Sequence, residues 1–239
     1  MNSLIHGSID HLAVLKKNWK QRARFCFNNG PSASFRRYTF LCQSQYIIND
    51  FAARYCKKAE GFQSRFLREI APRISEMARD TLSEERIKGI SEANSFDPAS
   101  NDYITYGGVL SLLALFEDAD KRRKPARIKH VYINFVNSFS AGSALAQVKT
   151  HGITQPVIVA YGAVANKYVI ALEGSDVTVT GCFADALLAY VASFWLFNLD
   201  LPAPVRQEVA LLARLVGTPD PSLGGDASRL YREITGTVI

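Results

Sequence analysis

The chain predicts an α+β protein, mainly helical, with a C-terminal β-hairpin packed on apolar helices. Three observations carry that expectation. Apolar residues recur every three or four positions through most of the chain, the helical period. The pattern then switches at "QPVIVAYG" and "KYVIALEG", two short β-branched runs split by "AVAN". Next, "CFADALLAYVASFWLFNL" returns to a long apolar helix. With 48% apolar and 11% aromatic residues among 239, the chain has ample material for a packed core.

Taken in order, "DHLAVLKKNWKQRARF" (residues 10–25) sets Leu12, Leu15, Trp19 and Ala23 at helical spacing and fills the rest of the surface with cations. "NNGPSAS" has the Asn, Gly and Pro that end one helix and start another element. A second helix is expected from Phe40 to about Gly61 and a third from Phe62 toward Ala78, kinked or split at Pro72. Ser83 precedes Arg86 by three residues, and Glu84 and Glu85 suit the positive end of a short helix there. "NSFDPASND" is a loop turning at Asp97-Pro98, and Tyr103 to Phe116 is a central helix whose Gly107 and Gly108 permit close packing. "RIKHVYINFVNSF" spaces Ile128, Val131, Tyr132, Phe135 and Phe139 as a helix, and helix is the expectation here. The hairpin follows, with "DVTVT" as a third edge strand. The apolar helix stops at "LPAP", and "VRQEVALLARLVG" resumes with Gly217 as its stop. The last twenty residues are expected to form a loosely attached tail with one short helix around Arg229 to Ile234. The division expected is a basic helical part over 1–120, a helix, hairpin and helix module over 121–217, and a tail over 218–239.

Charge is the strongest compositional signal. The net charge of +6 is uneven: the first 130 residues hold 22 basic and 14 acidic side chains, the remainder 6 and 8. No window offers the roughly 18 to 20 uninterrupted apolar residues that span a bilayer. The N-terminal segment has Asp10 and two His where a secretory signal has a basic start and an apolar centre, so the expectation is an intracellular protein, cytoplasmic or nuclear. Cys26, Cys42, Cys56 and Cys182 lie too far apart for a zinc knuckle and are expected to be buried thiols.

The sequence contains no GxSxG, HExxH or GxxxxGK[ST], and its four histidines stand apart from any acid motif. The paired glycines of "TYGGVL" and "SLGGDAS" do not join a strand to a helix as a phosphate cradle would. A non-enzymatic protein without metal or cofactor is the expectation. What remains is electrostatic. Lys16, Lys17, Lys20, Arg22, Arg24, Arg36 and Arg37 fall in a stretch with no acid, interleaved with Trp19, Phe25, Phe27 and Phe35 and followed by Tyr38. Cations beside rings are what single-stranded nucleic acid needs, since the cations neutralise phosphates and the rings stack bases. "KRRKPARIK" adds Lys121, Arg122, Arg123, Lys124, Arg127 and Lys129 as a second phosphate contact. The same run has the form of a nuclear localisation signal, and both segments also fit an ordinary solvated face.

The stretch from His151 to Pro202 resembles, in the order of its parts, an uncharacterised family of animal proteins that accompanies mobile elements: a Pro before an apolar strand and Gly, a second strand, then an apolar helix closing on "N-L-x-x-P". The resemblance covers roughly residues 121–217 and implies a helix and hairpin module of viral or transposon biology, with no catalytic residue. "ITYGGVLSLLALFED" resembles the start of the central helix of apoptosis regulators that bind a partner helix, with Tyr106 and Gly108 where that family has Trp and Arg.

The functional expectation is a nucleic-acid-binding or nucleoprotein-like factor, RNA or single-stranded DNA ahead of duplex. The rival is an interaction scaffold that forms homo-oligomers through "LLAYVASFWLFNL".

Overall fold

The computed structural model describes residues 18–55, 61–119, 127–135, 140–150, 156–162, 167–172, 175–179, 181–218 and 222–236. The first helix, α1 (Trp19–Arg37), runs through "NNGPSAS" with a kink at Gly30, whose φ of 69° no helix holds. A 3-10 turn (Thr39–Cys42) leads to α2 (Ser44–Tyr55). The expected third helix is α3 (Phe62–Arg65) and α4 (Ala71–Thr81), joined without a break by a π-helical turn (Phe66–Ile70). Pro72 has no N–H to give the helical ladder. The irregularity falls just before it, where the Ala71 N–H bonds Phe66 O, five residues back. Helix α5 (Glu84–Ala93) starts as expected, with the Ser83 hydroxyl accepting from the Arg86 N–H at 3.4 Å.

Helix α6 (Asn101–Ala119) is buried continuously from Thr105 to Phe116 apart from Gly107. Its close approach is to α4: a Cβ on Gly108 would sit 2.6 Å from Ala71 Cβ. Helices α5 and α6 are further joined by Arg86, which bridges Glu117 at 3.2 Å and Asp118 at 2.9 Å.

A four-stranded sheet follows, in the order β1 (Tyr132–Phe135), β2 (Val157–Tyr161), β3 (Lys167–Leu172) and β4 (Ser175–Val179). The hairpin and its third strand are antiparallel, with Val159 opposite Val169 and Ile170 opposite Val177. The helix expected over Ile128 to Phe139 is corrected. Arg127–His130 is a 3-10 turn, Tyr132–Phe135 is a strand parallel to β2, and 136–139 lie outside the described residues. The chain then crosses back through α7 (Ala141–Thr150).

The two sheet faces explain the misreading. Tyr132, Ile158, Ala160, Tyr168, Ile170 and Val177 face the main core. Val157, Val159, Val169 and Ala171 form a small second core with Ala144 and Val148 of α7, and Ile133 packs against it. A strand covered on both sides is apolar almost throughout, so its alternation disappears.

Helix α8 (Phe183–Leu196) lies at the centre, touching α1, α2, α3, α6, three strands and α9 (Arg206–Val216). The last helix, α10 (Gly225–Thr235), buries Ala227, Leu230 and Ile234, and Arg73 Nη1 donates to Ile234 O at 2.9 Å. The loosely attached tail is therefore corrected: the helix is longer than expected and docked by its apolar stripe. One core cluster holds residues from Ala23 to Ile234, so each of the three expected divisions contributes to it.

The Gly108 contact gives a paired prediction. Gly108→Ala forces a methyl into Ala71 and should cost about 1–3 kcal/mol. Gly89→Ala, on exposed α5 with nothing within 4 Å of the new Cβ, should stabilise by about 0.5–1 kcal/mol. Urea midpoints with unchanged slopes check both, and a neutral Gly108→Ala would remove the close-packing account.

Candidate nucleic-acid interface

Helix α1 has no acidic residue and sorts its side chains by face. Ala23, Cys26 and Phe35 go to the core, and Phe35 stacks edge-on against Phe197 at 5.3 Å. Lys20, Arg24, Arg36 and Arg37 are exposed, and none forms an ion pair with a described carboxylate. Trp19 is half-buried against the core, with Lys20 Nζ 5.9 Å from its ring.

The kink at Gly30 has a local result. It folds the end of α1 back on its middle, so the Arg37 guanidinium lies 4.5 Å from the Phe25 ring centre and 5.6 Å from Tyr38. Phe25 and Tyr38 themselves meet edge to face at 5.6 Å. Lys20, Gln21, Arg24, Phe25, Asn28 and Asn29 line an open depression of about 390 Å³ on this face. Cations held over rings keep their charge toward solvent while covering apolar surface.

Arg22 is the correction among the expected phosphate contacts. It is 5% exposed, and its Nε and Nη2 donate to Asp50 Oδ2 at 2.6 Å and Oδ1 at 2.5 Å, with Phe40 5.2 Å away. Two parallel hydrogen bonds occupy the guanidinium fork, so Arg22 faces the protein, not phosphate. Burial pushes the Asp50 carboxyl up from its ordinary value, and Arg22 pulls it back.

The second basic segment does not join this face in the described residues. Lys16, Lys17 and Lys121, Arg122, Arg123 and Lys124 lie outside them. Arg127 begins the 3-10 turn, and Lys129 within it is exposed. That turn adjoins β1, whereas α1, α2 and the Thr39–Cys42 turn adjoin β4, where Gln43 bridges Thr178. Three strand spacings, about 14 Å, separate these edges.

Several neighbours of the face were not singled out in the sequence. Arg54 lies 4.9 Å from both Phe27 and Tyr55, and Nη1 reaches Ala23 O at 3.5 Å. Trp195 and Asn198 adjoin them from the end of α8. Their sequence separation from α1 hides the grouping, and only the position of Arg54 in the last turn of a helix hints at an exposed charge.

A second polar grouping surrounds the start of α8. Asp102 accepts from the Tyr168 hydroxyl at 2.6 Å and from the Phe183 N–H at 2.8 Å, tying α6, β3 and α8 together. Burial first, and then Asp102, push the Tyr168 phenol well above its ordinary range. The Cys182 thiol accepts from Gln63 Nε2 at 2.9 Å and donates to Asp185 at 3.5 Å. Burial is the main cause that raises its pKa, against the backbone N–H groups of Asp185 and Ala184, which lower it, and with smaller upward pushes from the Asp185 and Asp102 charges, the reverse of an activated thiolate. Cys182 caps the helix. Of the other thiols, Cys26 is buried and Cys42 half-buried, and Cys56 lies outside the described residues.

Removing one partner of the Arg22–Asp50 pair leaves a buried charge alone. Arg22→Ala or Asp50→Ala should cost about 3–5 kcal/mol, while Arg22→Met with Asp50→Leu should recover most of the loss. Urea denaturation of the three variants checks this. A mild single-variant loss, below about 1 kcal/mol, would count against a structural pair.

No family model, curated protein or solved structure matches the chain.

Proposed function

We propose that the protein is a non-enzymatic factor that binds single-stranded nucleic acid, RNA or DNA, through the exposed face of α1. The observation that carries this reading is the array of Lys20, Arg24, Arg36 and Arg37, open to solvent and free of described carboxylate partners, beside the half-buried rings of Phe25 and Tyr38. Cations not neutralised by a carboxylate attract a polyanion and release its counterions on contact. The rings add sequence-tolerant stacking. Arg22 is outside the binding set, since its fork is committed to Asp50. A nucleoprotein-like role agrees with what the mobile-element resemblance of residues 121–217 implies. Lys16, Lys17 and the Lys121–Lys124 run, outside the described residues, remain further phosphate contacts in this reading.

Self-assembly through "LLAYVASFWLFNL" has less to recommend it. Within α8 itself only Asp185 and Trp195 are more than marginally exposed, and beyond its end Leu199 is half-buried and Asn198 exposed, so α8 has no continuous free apolar face for a second copy.

Fluorescence anisotropy with a labelled single strand and a duplex, at two or more salt concentrations, tests the reading. The logarithm of the affinity should fall linearly with the logarithm of salt. Changing Lys20, Arg24, Arg36 and Arg37 to Ser should flatten the single-strand slope by about 3, with an unchanged circular dichroism spectrum. Salt-insensitive binding, or a quadruple variant that binds like the parent, would sink the proposal.

A further inference from the structure

Beside the basic face lies a cleft that phosphate contact alone leaves unused. Phe27 shares a helical stripe with Lys20 and Arg24 at positions i, i+4 and i+7, about 10 Å of helix. It is one of two large hydrophobic residues exposed among those described, at 36%. With Tyr55, Trp195 and Asn198 it borders a hollow of about 270 Å³ between α1, the end of α2 and the end of α8. The walls are tied together, since the Tyr55 hydroxyl donates to Trp195 O at 3.3 Å. Arg54 sits between two of the rings, 4.9 Å from each.

We propose that this cleft seats one unpaired nucleobase of the strand whose phosphates lie on Lys20 and Arg24. The proposal rests on the nucleic-acid reading above and names its recognition element. The size fits: ligand pockets run from about 300 Å³ upward, so this hollow suits a single planar heterocycle and is too small for a docking helix. Its chemistry fits as well. Aromatic faces stack any base, and Arg54, beside two of the lining rings, repels cationic ligands. Asn198 brings an amide with both donor and acceptor atoms to the border, suited to the edge of a base. It holds a left-handed φ of 52°, which fixes the turn that ends α8. The lining includes no carboxylate among the described residues, and Asp200, between the lining residues Leu199 and Leu201, is exposed to solvent.

The test compares two labelled strands of equal length and phosphate count, one of thymidine and one of abasic residues, on the full chain. The parent should bind the thymidine strand about tenfold more tightly at the same salt slope. Phe27→Ala should bring that ratio close to one and leave the slope unchanged. Asn198→Gly, which keeps the left-handed turn and removes the amide, should narrow the ratio less. Equal affinity of the parent for both strands, with a normal salt slope, overturns the base cleft and leaves the phosphate reading standing. A tenfold preference that survives both substitutions also overturns it. If neither strand binds, both readings fall.

Discussion

A helix with no polar face has to be enclosed on every side, and α8 imposes that condition on the whole molecule. From Phe183 to Leu196 only Asp185 and Trp195 are more than marginally exposed, and both buried hydroxyls are spent on carbonyls, Ser193 on Ala189 O at 2.8 Å and Tyr190 on His130 O at 3.1 Å. Each large side chain buried there contributes about 1.5–3 kcal/mol, but only if neighbours arrive from all directions. They come from both ends of the chain. Helices α1, α2 and α3 supply one side, α6 and α9 another, and β2, β3 and β4 a third. The N-terminal half therefore has no core of its own around which to fold apart from the sheet. Asp102 marks the place where this enclosure is locked, because one carboxylate serves the first turn of α6, the β3 tyrosine and the opening N–H of α8.

The outward face of α1 follows from the inward one. A helix so rich in cations cannot lie on an apolar core unless one of them is neutralised at the contact, and Asp50 of α2 neutralises Arg22. With that residue fixed, the helical period leaves Lys20, Arg24 and Phe27 on one outward stripe, while Ala23 and Cys26 meet the core. Electrostatics thus selects the rotation of α1 more firmly than hydrophobic contrast does, since its apolar stripe is weak. The same rotation brings Phe27 to the Tyr55 and Trp195 cleft.

Much of this architecture was legible where local chemistry agrees with the fold. The Ser83 cap, the Asp97 loop, the apolar runs of α6 and α8, the β-branched runs of β2 and β3, and the alternation in β4 are all written in short windows. The errors share one cause, in that a partner distant in sequence decided the outcome. Tyr132–Phe135 has helical spacing, but pairing with β2 and cover from α7 make it a strand. Arg22 looks like its basic neighbours, and only Asp50, 28 residues on, makes it structural. Leu230 and Ile234 looked like a sparse tail until the groove that receives them was formed by other helices. Among the candidate site residues, Lys20, Arg24, Arg36 and Arg37 match the expected exposure. The cleft was invisible because its walls come from three helices.

The π-helical turn at Phe66–Ile70 bears on how this chain can vary. Such a turn is one residue longer than the α-helical path it replaces, and here it sets the phase of everything after it. Each residue added or removed rotates the following helix by about 100°. A chain one residue shorter between Phe66 and Ile70 would turn Ala71 away from Gly108 and carry a bulkier side chain into this close helix contact. Length in this segment is therefore more tightly constrained than residue identity: drift in the side chains can be absorbed by repacking, whereas a single codon lost would have to be matched by a second change in α6.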